Sequence, residues 1–140
     1  MKTKLLSILI ACFSLTANAQ TYMYGTTYEG GANGLGTIYR VDQNGMNFQK
    51  MYDFNSNDGG EPLSGLTLAN GKLYGFTSSG GPASNPGATT ALGSFFEFDP
   101  INNSLTVIES LDDKSEIGFS INNSPLLAND GSLYFASQGV

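Results

Sequence analysis

Five-residue segments with a tyrosine at the second position recur along this chain at intervals of 50 and then 60 residues. Gly-initiated strand segments recur with an offset of 57 residues, and Leu-Ala-Asn segments recur with an offset of 59. The recurring sets are residues 23–27, 73–77 and 133–137; 36–42 and 93–99; and 68–70 and 127–129. A period of this size is typical of propellers and arrays, in which one small structural unit is repeated.

Each unit is predicted to contain four short strands, which we letter a to d. Residues 66–69 and 72–77 flank Asn70-Gly71, a dipeptide typical of tight hairpins because both turn residues need a positive φ. A second hairpin is predicted between residues 36–42 and 47–54. Apolar and polar side chains alternate along these segments, and no helical periodicity extends past the first twenty residues. The predicted fold class is therefore all-β, built from four-stranded antiparallel meander blades.

The lettered strands divide the chain unequally. Residues 22–54 read as strands b-c-d, residues 64–111 as a complete a-b-c-d blade, and residues 125–137 as the start of the next blade. Residues 20–140 are thus predicted to hold about two blades, whereas a closed propeller typically has four or more. We expect an incomplete propeller, the N-terminal fragment of a longer protein, whose open blade edges allow self-association.

The first nineteen residues have the features of a secretory signal peptide. Two lysines precede an apolar run over residues 5–15, and Ala17-Asn18-Ala19 supplies a cleavage site after Ala19. The apolar run is about half of the ~20 residues that a bilayer span needs, so no membrane span is predicted. Alternatively, residues 9–12 form a lipobox, in which Cys12 would be lipidated. In either case the predicted location is secreted, extracellular or at the cell surface.

Composition narrows the chemistry that the chain can perform. Twelve acidic and six basic residues give a net charge of −6, which argues against nucleic-acid binding. The chain has no His, so it lacks an imidazole general base and a His metal ligand. Residues 20–140 also contain no Cys and no nucleophile-elbow motif. We therefore predict no enzymatic activity and no cofactor, and we assign no catalytic, cofactor-binding or metal-binding residue.

Residues that recur in both units are interpreted as architectural, because a binding site would usually break the repeat. Gly30-Gly31 and Gly80-Gly81 are predicted to be turn glycines, since neither a helix nor a Lys-Ser pair follows them as in a phosphate loop. Asp42 and Asp99 close equivalent strands and are predicted to initiate turns.

The aromatic residues divide in the same way. The aromatic residues that recur between units are predicted to lie in the sheet core, namely Tyr24 with Tyr74 and Tyr134, and Tyr39 with Phe96. Tyr28 is replaced by Ser78 in the second unit, so it remains a candidate contact for a glycan, whose faces stack on aromatic rings.

Two loops of the chain are rich in carboxylates, and the first of them is a candidate calcium site. Residues 53–61 carry oxygen ligands at alternate positions, but Asp58 and Ser64 stand where a calcium loop has Gly and Glu. A plain Asn/Asp/Gly turn is the favoured interpretation, and calcium binding is the alternative. Residues 112–116 are predicted to be a solvated loop between blades.

The run from residue 23 to residue 54 resembles the GloVer repeat, which defines a group of secreted bacterial proteins. The matching motifs are Tyr24-Gly25-Thr26-Thr27, Gly30-Gly31-Ala32-Asn33-Gly34 and Gly36-Thr37. The second unit also resembles a kelch blade in Gly80-Gly81 and Phe98-Asp99-Pro100, with Leu105 where kelch motifs usually carry Trp. The resemblance implies kelch-like propeller repeats, and it brings no catalytic residue and no ligand class.

Three functions follow as hypotheses. The preferred one is a secreted bacterial scaffold that binds an extracellular protein or glycan through loops at one end of its blades. The alternatives are a fragment of a secreted propeller enzyme, whose site further blades would complete, and a purely structural cell-surface repeat. A bound glycan or peptide would favour the first hypothesis, and turnover by a longer chain the second. Persistence in a surface layer without any ligand would favour the third.

Overall fold

A computed structural model of the chain describes residues 21–82 and 87–138. These residues form β-strands and no helix, which confirms the prediction of an all-β chain, and hence none of them lies in a helix that could cross a membrane. The strands are β1 (Tyr22–Thr27), β2 (Thr37–Asp42), β3 (Gln49–Asp53), β4 (Thr67–Ala69), β5 (Lys72–Phe76), β6 (Ala91–Asp99), β7 (Ser104–Asp112), β8 (Leu126–Leu127) and β9 (Leu133–Tyr134). The predicted signal peptide, residues 1–19, and Cys12 lie outside the described residues.

The strands form three antiparallel sheets. Their orders are β1-β2-β3, β4-β5-β6-β7 and β8-β9, so each sheet is a meander of consecutive strands. The hairpin predicted at Asn70-Gly71 joins β4 to β5, and its two residues have φ values of 50° and 78°. The turn chemistry predicted there is confirmed. The arrangement of these sheets as propeller blades stays a prediction.

The second sheet is covered on both faces. We call face A the side that carries Leu73, Phe96 and Phe98 in this sheet, and face B the opposite side, and both names apply to equivalent positions of the other sheets. Face A of the second sheet packs on face B of the first, which supplies Ile38 and Phe54. The ring centroids of Phe54 and Phe96 lie 5.3 Å apart in an edge-on contact. All five side chains are at most 3% exposed, so this core joins the two sheets.

A second core joins the second and third sheets. Phe76 and Leu111, on face B of the second sheet, pack with Ile121. Phe135, which follows β9 on face A of the third sheet, approaches Phe76 with a ring-centroid distance of 4.9 Å. Face A of one sheet thus meets face B of the preceding sheet at both junctions. Burial of each of these apolar side chains contributes about 1.5–3 kcal/mol to the free energy of unfolding.

The connections β1–β2 and β5–β6 are closed at their bases by the same hydrogen bond. The Gly36 N–H donates to the Gly30 carbonyl over 3.1 Å, and the Gly93 N–H donates to the Gly80 carbonyl over 2.9 Å. Gly36 and Gly93 have φ values of 92° and 116°, and a Cβ at these positions would lie 2.2 and 2.1 Å from a threonine carbonyl oxygen. Both positions therefore require glycine.

A pair of hydroxyl groups supports each of these connections. Thr27 Oγ1 accepts a hydrogen bond from the Thr37 N–H over 3.0 Å, and Thr77 Oγ1 accepts one from the Ser94 N–H over 2.8 Å. In both units the two hydroxyl oxygens lie 3.0 Å apart. Thr77 and Ser94 are buried, whereas Thr27 is half-buried. The two units share this joint but bury it to different depths.

Two predictions about burial are wrong. Tyr134 is 58% exposed, because it lies on face B of the third sheet, whose other face contacts the second sheet. Asp112 is fully buried and not solvated, because β7 extends to it and pairs it with Ala91. Its Oδ1 accepts the Lys114 N–H over 2.9 Å. Tyr24 is half-buried against the core between the first and second sheets, and Tyr74 is half-buried beside Phe95, with ring centroids 6.2 Å apart.

Candidate functional site

The strands β1, β5 and β9 finish at corresponding ends of their sheets, which we call the loop end. Hydrogen bonds link the segments that meet there: the Glu61 N–H donates to the Leu35 carbonyl over 2.9 Å. Gly60 and Phe119, in the segments before β4 and β8, form bridges with residues that follow β5 and β9. Because this frame recurs, residues at the loop end that differ between units are the candidates for binding.

The Gly-Gly pairs at this end are turn glycines, as predicted. All four glycines have positive φ, and isolated parallel bridges join Gly30 to Leu35 and Gly80 to Leu92. A strand, β2 or β6, comes next along the chain where a phosphate loop would have a helix. The glycines therefore shape the loops.

Asp42 and Asp99 initiate the hairpin turns at the opposite end, as predicted. Asp42 accepts two backbone N–H groups of its turn over 3.0 and 2.9 Å, and Asp99 accepts two over 2.8 and 3.2 Å. Lys72 adds an ion pair with an Nζ–Oδ2 distance of 2.6 Å. The hydrogen bonds from Lys72 and then from the turn lower the pKa of Asp99, while the Met46 N–H and the other turn donors lower the pKa of Asp42.

The acidic loop at residues 53–61 does not gather its carboxylates around one point. Asp53 forms an ion pair with Lys50 at 2.7 Å, and Asp58 accepts a hydrogen bond from the Tyr52 hydroxyl over 2.6 Å. Burial and then the bond to Asp58 raise the pKa of Tyr52. Within residues 21–82 and 87–138, no three His, Cys, Asp or Glu side chains lie close enough to hold a metal ion. These contacts favour the plain-turn interpretation of the loop.

Tyr28 lies at the loop end and is 45% exposed. Its hydroxyl donates to Glu61 Oε2 over 3.2 Å, and this hydrogen bond raises the pKa of Tyr28. The equivalent residue of the second unit, Ser78, donates to the Glu61 carbonyl over 2.6 Å. Tyr28 therefore presents an accessible ring beside a carboxylate, at a position where the repeat is broken.

A polar pocket opens at the loop end of the third sheet, and its volume is about 250 Å³. Five of its six lining residues carry uncharged polar side chains; the lining consists of Ser120, Asn122, Asn123, Ala136, Ser137 and Gln138. Two backbone hydrogen bonds of 2.9 Å between Phe119 and Gln138 hold the two walls together. The pocket combines a fixed backbone with amide and hydroxyl groups, which can both donate and accept hydrogen bonds.

The pocket lies where the third unit departs from the second. With the offset of 60 residues, Ala136 takes the place of Phe76, which is fully buried. With the offset of 59, Asn123 takes the place of Ser64, whose hydroxyl accepts the Phe76 N–H over 3.0 Å. A methyl group in place of a phenyl ring leaves space, and the longer amide side chain brings polar groups to it.

A family model described as the Gloeobacter/Verrucomicrobia repeat matches residues 11–139. The match covers nearly the whole chain. The chain belongs to this repeat family. The resemblance to the GloVer repeat seen in residues 23–54 is thereby confirmed. No curated protein and no solved structure matches the chain.

None of the site candidates predicted from the sequence lies in this pocket. Asn122 and Asn123 precede β8 in a segment without strand alternation, and they meet Ser137 and Gln138 only because residues 119–123 run beside the end of β9. The signal in the sequence was the loss of a buried phenylalanine at Ala136 together with the two adjacent asparagines. Both become visible when the second and third units are compared position by position.

Proposed function

We propose that this GloVer-repeat protein is a secreted binding scaffold and that the polar pocket of its third unit binds a neutral glycan. The pocket carries the proposal, because its polar lining consists of amide and hydroxyl groups. Sugar hydroxyls both donate and accept hydrogen bonds, and amide side chains match them in both roles.

Charge and size support a neutral sugar over other ligands. None of the residues that line the pocket is charged, and the net charge of −6 disfavours polyanionic ligands. The volume of about 250 Å³ is just below the ~300–1,000 Å³ typical of small-molecule sites, so it suits a single unit of a longer chain. Tyr28 offers a second contact at the loop end, because its exposed ring can stack on a sugar face.

The scaffold itself is proposed to be a kelch-like propeller, incomplete within this chain. The four-stranded antiparallel second sheet supports this proposal, as does the packing of face A on face B at two successive junctions. Secretion is proposed from residues 1–19. A mature N-terminus at Gln20 would support it, and retention of those residues would argue against it.

Binding of neutral polysaccharides to the whole chain tests the proposed function. The double variant Asn122→Ala, Asn123→Ala removes two amide groups from exposed positions. We expect it to bind about tenfold or more weakly, because a hydrogen bond contributes about 1 kcal/mol. Calorimetric titration with dextran, mannan and xylan measures the effect.

Asn129→Ala is the matched control, since Asn129 is an exposed asparagine of the same unit in the turn between β8 and β9. It should bind as the unmodified chain does. The proposal fails if none of these polysaccharides binds, or if Asn129→Ala weakens binding as much as the double variant.

A further inference from the structure

Face A of the first sheet carries an exposed apolar surface, which lies beside the ion pair of Lys50 and Asp53. Met23 and Phe48 are 49% and 63% exposed, and both Tyr39 and Val41 on the same face are half-buried. Met23 pairs directly with Val41, and the Tyr39 and Phe48 rings stack with their centroids 5.1 Å apart. Because alternate residues of a strand share a face, these four side chains form one surface, which we call the first-sheet patch.

The equivalent surface of the second sheet is buried. The counterparts of Met23, Tyr39 and Val41 are Leu73, Phe96 and Phe98, which are at most 3% exposed. Face B of the first sheet covers them. The molecule itself therefore demonstrates what packs on a face A of this repeat, namely face B of another sheet.

Face B of the third sheet is also apolar and exposed. Leu126 and Tyr134 pair directly across β8 and β9, and they are 70% and 58% exposed. The counterpart of Tyr134 in the first sheet is Tyr24, which packs against the core shared with the second sheet. Tyr134 therefore lies on the face that receives face A of a following sheet.

We propose that the first-sheet patch binds face B of the third sheet of a second copy of this chain, in a head-to-tail contact. Each copy carries both halves of the contact, so no other protein is required. The two halves are different surfaces, which makes the interface heterologous. The contact repeats the packing that already joins the three sheets within one chain, and it uses sheet faces where the sequence led us to expect association through blade edges.

Two single variants separate the halves of this contact. Phe48→Glu places a carboxylate in the first-sheet patch, and Tyr134→Glu places one on face B of the third sheet. Both residues are exposed, so both cores stay intact. We expect each variant alone to associate about 30-fold or more weakly than the unmodified chain, which is the loss typical of a central interface residue. Sedimentation velocity over a range of concentrations measures association of the full chain.

A mixture of the two variants is the decisive measurement. The Phe48→Glu chain keeps an intact face B, and the Tyr134→Glu chain keeps an intact first-sheet patch. An equimolar mixture should therefore form a one-to-one dimer at concentrations where each variant alone is monomeric. Ile101→Glu is the matched control, since Ile101 is 87% exposed in the turn between β6 and β7, and it should associate as the unmodified chain does.

Several outcomes would overturn the proposal. An unmodified chain that stays monomeric at every concentration would do so. A Tyr134→Glu chain that dimerises normally would also do so, because the first-sheet patch would then pair with itself. The same holds for a mixture that stays monomeric, or for an Ile101→Glu chain that loses association to the same extent. Glycan binding depends on Asn122 and Asn123, so the two proposals can fail independently.

Discussion

The first and second sheets share the same hydrogen-bonded elements at the bases of their loops, but their A faces are buried to different extents. Each has a hydroxyl pair with its oxygens 3.0 Å apart and a glycine in the left-handed region at the base of its loop. On face A, however, Phe96 of the second sheet is fully buried, whereas its counterpart Tyr39 is half-buried next to the exposed Phe48. The repeat therefore specifies the glycine and the hydroxyl pair at the base of each loop. The burial of the side chains on face A depends instead on which sheet packs against them.

The largest expected effect compares the two aromatic counterparts on face A. Phe96→Ala should lower the free energy of unfolding by about 3–5 kcal/mol, because it opens a cavity in a closed core. Tyr39→Ala should lower it by about 1–2 kcal/mol, because half of the ring already contacts water and its stacking on Phe48 contributes modestly. Urea unfolding at concentrations where the chain is monomeric measures both values. Equal losses would contradict the difference in covering.

A smaller effect compares the two hydroxyl pairs. Thr77→Val should lower the free energy of unfolding by about 1–3 kcal/mol, because it leaves the buried Ser94 N–H without its acceptor. Thr27→Val should lower the free energy of unfolding by less than about 1 kcal/mol, because Thr27 is half-buried, so water can reach its position and replace the lost hydroxyl as a partner of the Thr37 N–H. The same unfolding measurement decides, and a larger loss for Thr27→Val would reverse our interpretation of burial at these joints.

The smallest effect compares the two turn carboxylates as the pH falls. Both have a lowered pKa in the folded chain, so each stabilises the fold above its unfolded pKa of about 4, and that stability is lost as the pH drops towards the folded value. Asp99→Asn should flatten this acid-induced loss more than Asp42→Asn, because Lys72 forms an ion pair with Asp99, whereas the described lysines and arginines form none with Asp42. Urea midpoints at intervals between about pH 6 and about pH 2 test this. Identical profiles for the two variants would show that the ion pair adds nothing.

Strand order and turn chemistry could be predicted because they depend on residues close together in sequence. Asn70-Gly71 needs only its own positive φ values to turn the chain, and Asp42 accepts N–H groups from residues two and four positions further on. The spacing of the units then orders the strands without any knowledge of packing. These parts of the fold are local, and a single sequence is enough to read them.

Burial and the pocket could not be predicted in the same way. Tyr39 and Phe96 are both aromatic residues in equivalent strands, and only the neighbouring sheet decides which one is covered. Asp112 looked like a loop carboxylate, but β7 continues to it and pairs it with Ala91, where it is fully buried. Likewise, the pocket forms where residues 120–123 approach residues 136–138, and that approach depends on where β9 ends.

The bridge at the base of each Gly-Gly loop separates the loop from the sheet beneath it. It joins Gly30 to Leu35 in the first unit and Gly80 to Leu92 in the second, although the second loop is much longer. Doubling the length of a loop costs only about 0.6 kcal/mol of closure entropy. Insertions ahead of Thr89, whose N–H and hydroxyl both donate to Asp113, can therefore be tolerated with little effect on the fold, which makes this part of the loop suitable for grafting foreign peptides.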